Sequence, residues 1–202
     1  MFFPRSNIIL IELFKGENIM EEKLSTKNLV LMSLMIALVF LAGSIIKVPS
    51  LGGFVHIGDC MVFLSVIVLG KKKGAVASAL GMFLVDALGG YLFWAPFTFI
   101  IKGLMAYVTG AIIEKMNKDN TKIGFKKEYI LGFVVGGIVM VIGYFIAGTI
   151  LAAFLTDKVG LINGIAFAAK DIVGNIIQVV TGIVIAVPLS AIVVGAKKRV
   201  FN

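Results

Sequence analysis

Cysteine and histidine each occur once in these 202 residues, and proline only four times. A lone Cys60 excludes an internal disulfide, and a lone His56 cannot build a histidine metal cluster. Charge is scarce too: only 15% of residues are Asp, Glu, Lys or Arg, against 59% apolar, far from the composition of a soluble domain. No GxxxxGK[ST] loop is present, so the chain does not itself hydrolyse ATP in the P-loop manner. HExxH and GxSxG are also missing, which removes the commonest hydrolase signatures. No two-fold internal repeat of the kind that builds many ion-coupled transporters is apparent. The chain reads as a binder without an engine.

Long apolar runs are what the sequence does have, and they mark an all-α integral membrane protein. A hydrocarbon core of about 30 Å needs roughly 20 residues per helix. Hydropathy places six helices at about Asn28 to Ile46, with Ser25 or Thr26 as cap, then Gly58 to Leu69, Gly74 to Leu88, Pro96 to Ile113, Tyr129 to Phe154 and Ile165 to Val194. Pro96 suits a first turn, and Pro188 is expected to kink the last helix.

Net charge is +8, from 19 Lys+Arg against 11 Asp+Glu, and its distribution speaks of topology, not nucleic acid. Lys23 and Lys27, Lys71 to Lys73, the lysines between 115 and 127, and Lys197-Lys198-Arg199 all fall on one side of a six-span bundle. The positive-inside rule makes that side cytoplasmic, with both termini inside, in a multi-pass protein of the bacterial cytoplasmic membrane.

Residues 1–23 form an extension before the membrane domain of residues 24–202. The run Lys15 to Met20 can be encoded by AAAGGAGAAAATATTATG, a purine-rich ribosome-binding sequence just before a start codon, so the natural chain is expected to begin at Met20.

Within WAPFTFIIKGLMAYVTGAII one ammonium group, Lys102, interrupts an apolar span, and an ionisable residue at such depth marks a functional site. At 1.5 Å per residue it lies roughly 9 Å below the outer end of its helix. His56, Asp59 and Asp86 are near the same level, as are Tyr91 and Trp94 in the following turn. Asp171, Asn175 and Gln178, spaced i, i+4, i+7, share one face of the last helix. The expected substrate site therefore comprises His56, Asp86, Tyr91, Trp94, Lys102, Asp171, Asn175 and Gln178. Lys102 faces either a ligand or a buried carboxylate, with Asp86 and Asp171 as the partners considered. Asp59 and His56 alternatively cap the second helix, and Tyr91 and Trp94 alternatively belong to an interfacial aromatic belt.

Small residues recur four apart in Ser33/Ala37, Ala75/Ala79, Gly132/Gly136 and Gly182/Ala186/Ser190, which lets helices approach closely. The first helix is nearly free of polar groups, so Ser33 and Ala37 are a candidate docking strip.

The stretches HIGDCMVFLSVIVLGKKKGAVASALG, WAPFTFIIKGLMAYVTG and VGNIIQVVTGIVIAVPL, with the small-residue strip of the first helix, resemble the substrate-binding S components of energy-coupling factor (ECF) transporters. The resemblance covers nearly the whole chain from about Met20. It implies a membrane-embedded vitamin-binding subunit that works with a transmembrane T component and two ATPases. ATP is then used by those partners, and this chain needs no cofactor. The family docks small residues of its first helix on the T component, and Ser33 and Ala37 match those positions, with Ser replacing the first Ala. It further implies delivery by toppling of the loaded subunit in the membrane, with Pro49 to Phe54 as a gate. A B6 vitamer or the thiamine pyrimidine suits stacking on Trp94 and Tyr91, whereas Lys102 equally suits a carboxylate such as pantothenate. A stand-alone secondary transporter or channel for a small polar solute is the alternative, and an intramembrane enzyme using Asp59, Asp86 or Asp171 is a third class.

Overall fold

A computed structural model describes residues 26–45, 47–49, 54–116, 127–155 and 160–201. The extension of residues 1–23 with its Met20 start, the cap Ser25, and residues 50–53 of the expected gate lie outside the described residues. The described chain is helical apart from one small hairpin: α1 (Thr26–Ile45), β1 (Lys47–Pro49), β2 (Phe54–His56), α2 (Asp59–Leu88), α3 (Ala95–Met116), α4 (Lys127–Leu155) and α5 (Leu161–Phe201). Among the described residues α1, α3, α4 and α5 are long and apolar enough to cross a membrane. Helices satisfy every backbone polar group internally, the condition for crossing hydrocarbon.

The expectation of six helices is corrected to five, because the second and third predicted helices are one element. No loop separates them: Gly70 alone leaves helical geometry, at φ 78° and ψ 173°. In a straight helix Ser65 and Ser78 would stand about 20 Å apart, yet their hydroxyls are 2.7 Å apart. Ser65 also donates to the carbonyl of Gly74. The helix is therefore folded back on itself at Gly70, a residue whose left-handed φ is cheap only without a Cβ. Lys71, Lys72 and Lys73, which lower the hydropathy there, are helical residues just past the fold. Pro188 lies inside α5, which runs on past the expected Val194 to Phe201.

The stretch expected as an open loop after α1 pairs as an antiparallel ladder, with Lys47 opposite His56 and Pro49 opposite Phe54. At the far end of α2 the amide of Gly89 bonds the carbonyl of Val85. A Cβ built on Gly89 would lie 3.0 Å from the Lys47 ammonium, so this cation sits at a helix C-terminus, where the dipole favours it.

Helix α2 packs on α1, α3 and α5, and α4 packs between α3 and α5. The core holds Val39, Phe63, Met82, Met105, Phe133 and Met140, with Phe63 and Phe133 stacked at 4.6 Å between centroids. Three of the four small-residue strips are internal. A Cβ on Gly136 would strike Thr109 and the Met105 carbonyl, one on Gly182 would lie 2.8 Å from Asp59 Cβ, and Ala79 is buried. Ser33 and Ala37 instead lie exposed on α1, whose other face buries Met35, Val39 and Gly43.

Close approach separates two glycines that composition alone treats alike. A Cβ on Gly81 would stand 2.9 Å from the Ile36 backbone oxygen and 2.7 Å from Val39, whereas one on Gly103 meets nothing nearer than 3.4 Å. Gly81→Ala should therefore destabilise the α1–α2 contact by about 1–3 kcal/mol, and Gly103→Ala should be nearly neutral. Thermal unfolding of the two variants in detergent checks this ordering, and equal melting temperatures would refute it.

Candidate functional site

Lys102 projects from the second turn of α3 into the bundle, where its side chain and that of Asp59 are both wholly buried and form an ion pair. The partner is neither Asp86 nor Asp171, the two considered from sequence. Asp59 is the first residue of α2, where an aspartate commonly caps, but Gly58 occupies the cap position without a side-chain hydrogen bond. Asp59 turns inward because the alternative, an unpaired ammonium among apolar side chains, costs several kcal/mol.

The pair is the root of a longer network. Gln178 of α5 donates from Nε2 to Asp59 Oδ2 at 3.1 Å. Its Oε1 accepts the backbone N–H of His56 on β2 at 3.2 Å. The His56 ring closes the turn into α2, its Nδ1 accepting the Gly58 amide at 3.1 Å, which leaves the ring proton on Nε2. The Lys102 ammonium also lies 5.3 Å from the ring centroid of Tyr144 on α4, within cation–π range. Residues from α2, α3, α4, α5 and β2 thus meet at one level.

A second cluster adjoins the first. Tyr144 donates its hydroxyl to Thr98 Oγ1 at 3.1 Å. Asp86 is buried within the field of Thr98, Lys102 and Lys47. Trp94 is 6.2 Å from Tyr144 between ring centroids, in a tilted arrangement. A Cβ on Gly148 of α4 would lie 3.5 Å from the indole and 3.3 Å from Ala168 of α5, so Trp94 marks the top of the α5 face that descends to Gln178.

Of the eight residues expected to form the site, the structure brings together His56, Asp86, Trp94, Lys102 and Gln178. Asp171 and Asn175 are half-buried on the α5 face between Ala168 and Gln178. Tyr91 is set apart, exposed on the turn before α3, where its carbonyl accepts the Trp94 and Ala95 amides. Asp59, Thr98 and Tyr144 were not expected there. Asp59 was placed at the same level, with capping as its alternative, but not counted in the site, and Tyr144 and Thr98 are single polar residues inside apolar runs, where a buried hydroxyl needs a partner. That need was the available signal.

The buried Lys102 ammonium is paired with the Asp59 carboxylate, and Asp86 is buried nearby. His56 remains neutral: burial, assisted by the Lys102 charge and partly opposed by Asp59, pushes its pKa down from 6.5 to about 4. The site offers hydrogen-bonding groups and aromatic faces around one paired charge. Among the described residues no group of His, Cys, Asp and Glu is arranged to hold a metal ion.

A family model described as ECF-type riboflavin transporter, S component, matches residues 23–194 of the chain. A protein of Pyrococcus woesei, described as "Uncharacterized protein in gap 3'region", is 34% identical over 155 residues, covering 77% of this chain and 90% of its own length. The thiamine precursor transporter HmpT of Lactococcus lactis subsp. cremoris (strain MG1363) is 29% identical over 170 residues, covering 83% of this chain and 87% of its own.

Two outcomes follow from this chemistry. Asp59→Ala or Lys102→Met alone should destabilise the protein by about 3–5 kcal/mol, and Asp59→Leu combined with Lys102→Met should recover most of the loss, since no lone charge remains. Melting curves of the three variants decide it. Below pH 6.5 the unfolded chain protonates His56 while the folded protein does not, so stability falls as pH drops from 6.5 to about 4. The full effect is on the order of 3 kcal/mol, and the decline should be shallower in His56→Asn, as melting measured across that window would reveal.

Proposed function

The chain belongs to the family of S components of ECF-type riboflavin transporters, and from that premise we propose that it captures a small, flat, uncharged vitamin or vitamin precursor outside the cell membrane and delivers it through an ECF importer. The family and the named relative are transporters, not enzymes. The observation that carries the substrate reading is the pairing of Lys102 with Asp59, which engages the cation expected from sequence to meet a carboxylate ligand such as pantothenate. Trp94 and Tyr144 supply ring faces, and Asn175 and Asp171 line the descent towards Gln178. Such a setting suits a ring with amino and hydroxyl substituents. The thiamine pyrimidine is the first candidate, in keeping with the relative named as a thiamine precursor transporter.

In this reading the two arms of α2 enter the membrane and return on either side of Gly70, and both termini lie on the cytoplasmic side. The Lys71–Glu114 ion pair, 2.6 Å long, ties the fold of α2 to the last turns of α3 and supports placing both at one membrane surface. The lysine-rich fold is then inside and the β1–β2 hairpin outside. Ser33 and Ala37, exposed on α1, dock on the T component, and two partner ATPases supply ATP hydrolysis. The loaded subunit then topples to expose its site inward.

Purified protein, denatured and analysed by mass spectrometry, should release a stoichiometric pyrimidine or related vitamin precursor, and Trp94→Ala should release at least tenfold less. Uptake into liposomes should require the T component, both ATPases and ATP. Uptake by the chain alone, driven by an ion gradient, would instead establish the stand-alone transporter.

A further inference from the structure

Trp94, Thr98 and Lys102 stand four residues apart, and the Thr98 amide donates to the Trp94 carbonyl at 2.9 Å, so the three share one face of α3 at successive turns. Lys102 is engaged by Asp59. One turn nearer Trp94, Thr98 meets Tyr144 of α4 and the buried Asp86 of α2. Protons in this cluster run in one direction. The Tyr144 hydroxyl donates to Thr98 Oγ1 at 3.1 Å, and Thr98 turns its own single proton towards the Asp86 carboxylate. Both hydroxyl protons are therefore taken, and what the cluster still presents is lone pairs, on Asp86 and on the Tyr144 oxygen. Among the described residues no ion pair engages Asp86, on which Lys102 and Lys47 act only through their fields. A buried carboxylate that receives one hydroxyl proton has room for further donors.

We propose that Asp86 determines specificity by accepting the ring amino group of the substrate, so that the site takes amino-substituted nitrogen heterocycles and rejects their oxo counterparts. The assignment rests on the binding-subunit reading, in which the substrate ring lies against Trp94. One helical turn, roughly 5 Å, separates Trp94 from Thr98 along α3, and Trp94 and Tyr144 are 6.2 Å apart between centroids, so the edge of a ring on the indole comes within reach of this cluster. A ring amino group brings two protons to a cluster made of acceptors. A ring carbonyl brings only lone pairs, which would face those of Asp86 in a site closed off from water, the kind of mismatch that discriminates most strongly between analogues of equal size. Thr98 is the positioning residue, since it fixes which way the protons run.

Calorimetric titration of the purified protein with the hydroxymethyl aminopyrimidine, and with the same compound carrying a carbonyl in place of the amino group, tests this. Wild type should bind the amino compound at least about a hundredfold tighter. Asp86→Asn keeps the shape of the side chain but can turn its amide to donate, so the ratio of the two affinities should fall to about tenfold or less, with the oxo compound bound more tightly than by wild type. Thr98→Val frees the Tyr144 proton for the ligand and should lower the ratio in the same direction. Tyr144→Phe leaves the link from Thr98 to Asp86 in place and should keep the wild-type ratio. A side chain that only packs would weaken both compounds alike, so an unchanged ratio in Asp86→Asn overturns the assignment. Should Asp86→Asn fail to fold, the ratio in Thr98→Val decides alone. Wild type that binds both compounds equally overturns the role of Asp86 and leaves the binding-subunit reading standing. Wild type that binds neither overturns the pyrimidine reading and the assignment together.

Discussion

The ion pair between Lys102 and Asp59 sets the terms for the rest of the molecule. Both side chains are wholly buried in a bundle whose other contents are mostly apolar. Neither charge is tolerable there alone, and together they are tolerable only if the remaining lone pairs and protons find partners. Each further group meets that demand: Gln178 for the second carboxylate oxygen, the Tyr144 ring beside the ammonium, and the His56 backbone for the other end of the Gln178 amide. Satisfying one buried pair thus fixes α2, α3, α4, α5 and the hairpin in a common frame.

Small residues make that frame reachable. Asp59 meets α5 because Gly182 has no Cβ, and α4 reaches α3 because Gly136 has none at Thr109. Gly70 contributes differently, by turning α2 back so that Ser65 and Ser78 share a hydrogen bond and two short arms fill the space of one long helix. Against these internal uses, the exposure of Ser33 and Ala37 is informative. This strip, of a kind that admits close helix approach, lies exposed rather than buried in a contact between the described helices.

The sequence made the helices legible to within a few residues, because twenty apolar positions in succession admit few other readings. It also grouped His56, Asp59 and Lys102 correctly, since position along a helix follows from rise per residue. What it hid depends on rotation and on partners. Asp59 stands where a capping residue stands, and only packing shows that its carboxylate points to Lys102. Tyr144 looked like part of an apolar span because hydropathy averages a window and one hydroxyl does not move the average. The fold of α2 was read as a loop because three lysines interrupt hydropathy while leaving helix propensity intact. The hairpin went unseen because three residues per strand are too few to establish an alternation.

The two kinds of contact at the site differ in strength. The ion pair is sealed and expensive to break, so it keeps the helices in register. The hairpin is held at this level by a hydrogen bond to an amide, worth about 1 kcal/mol net.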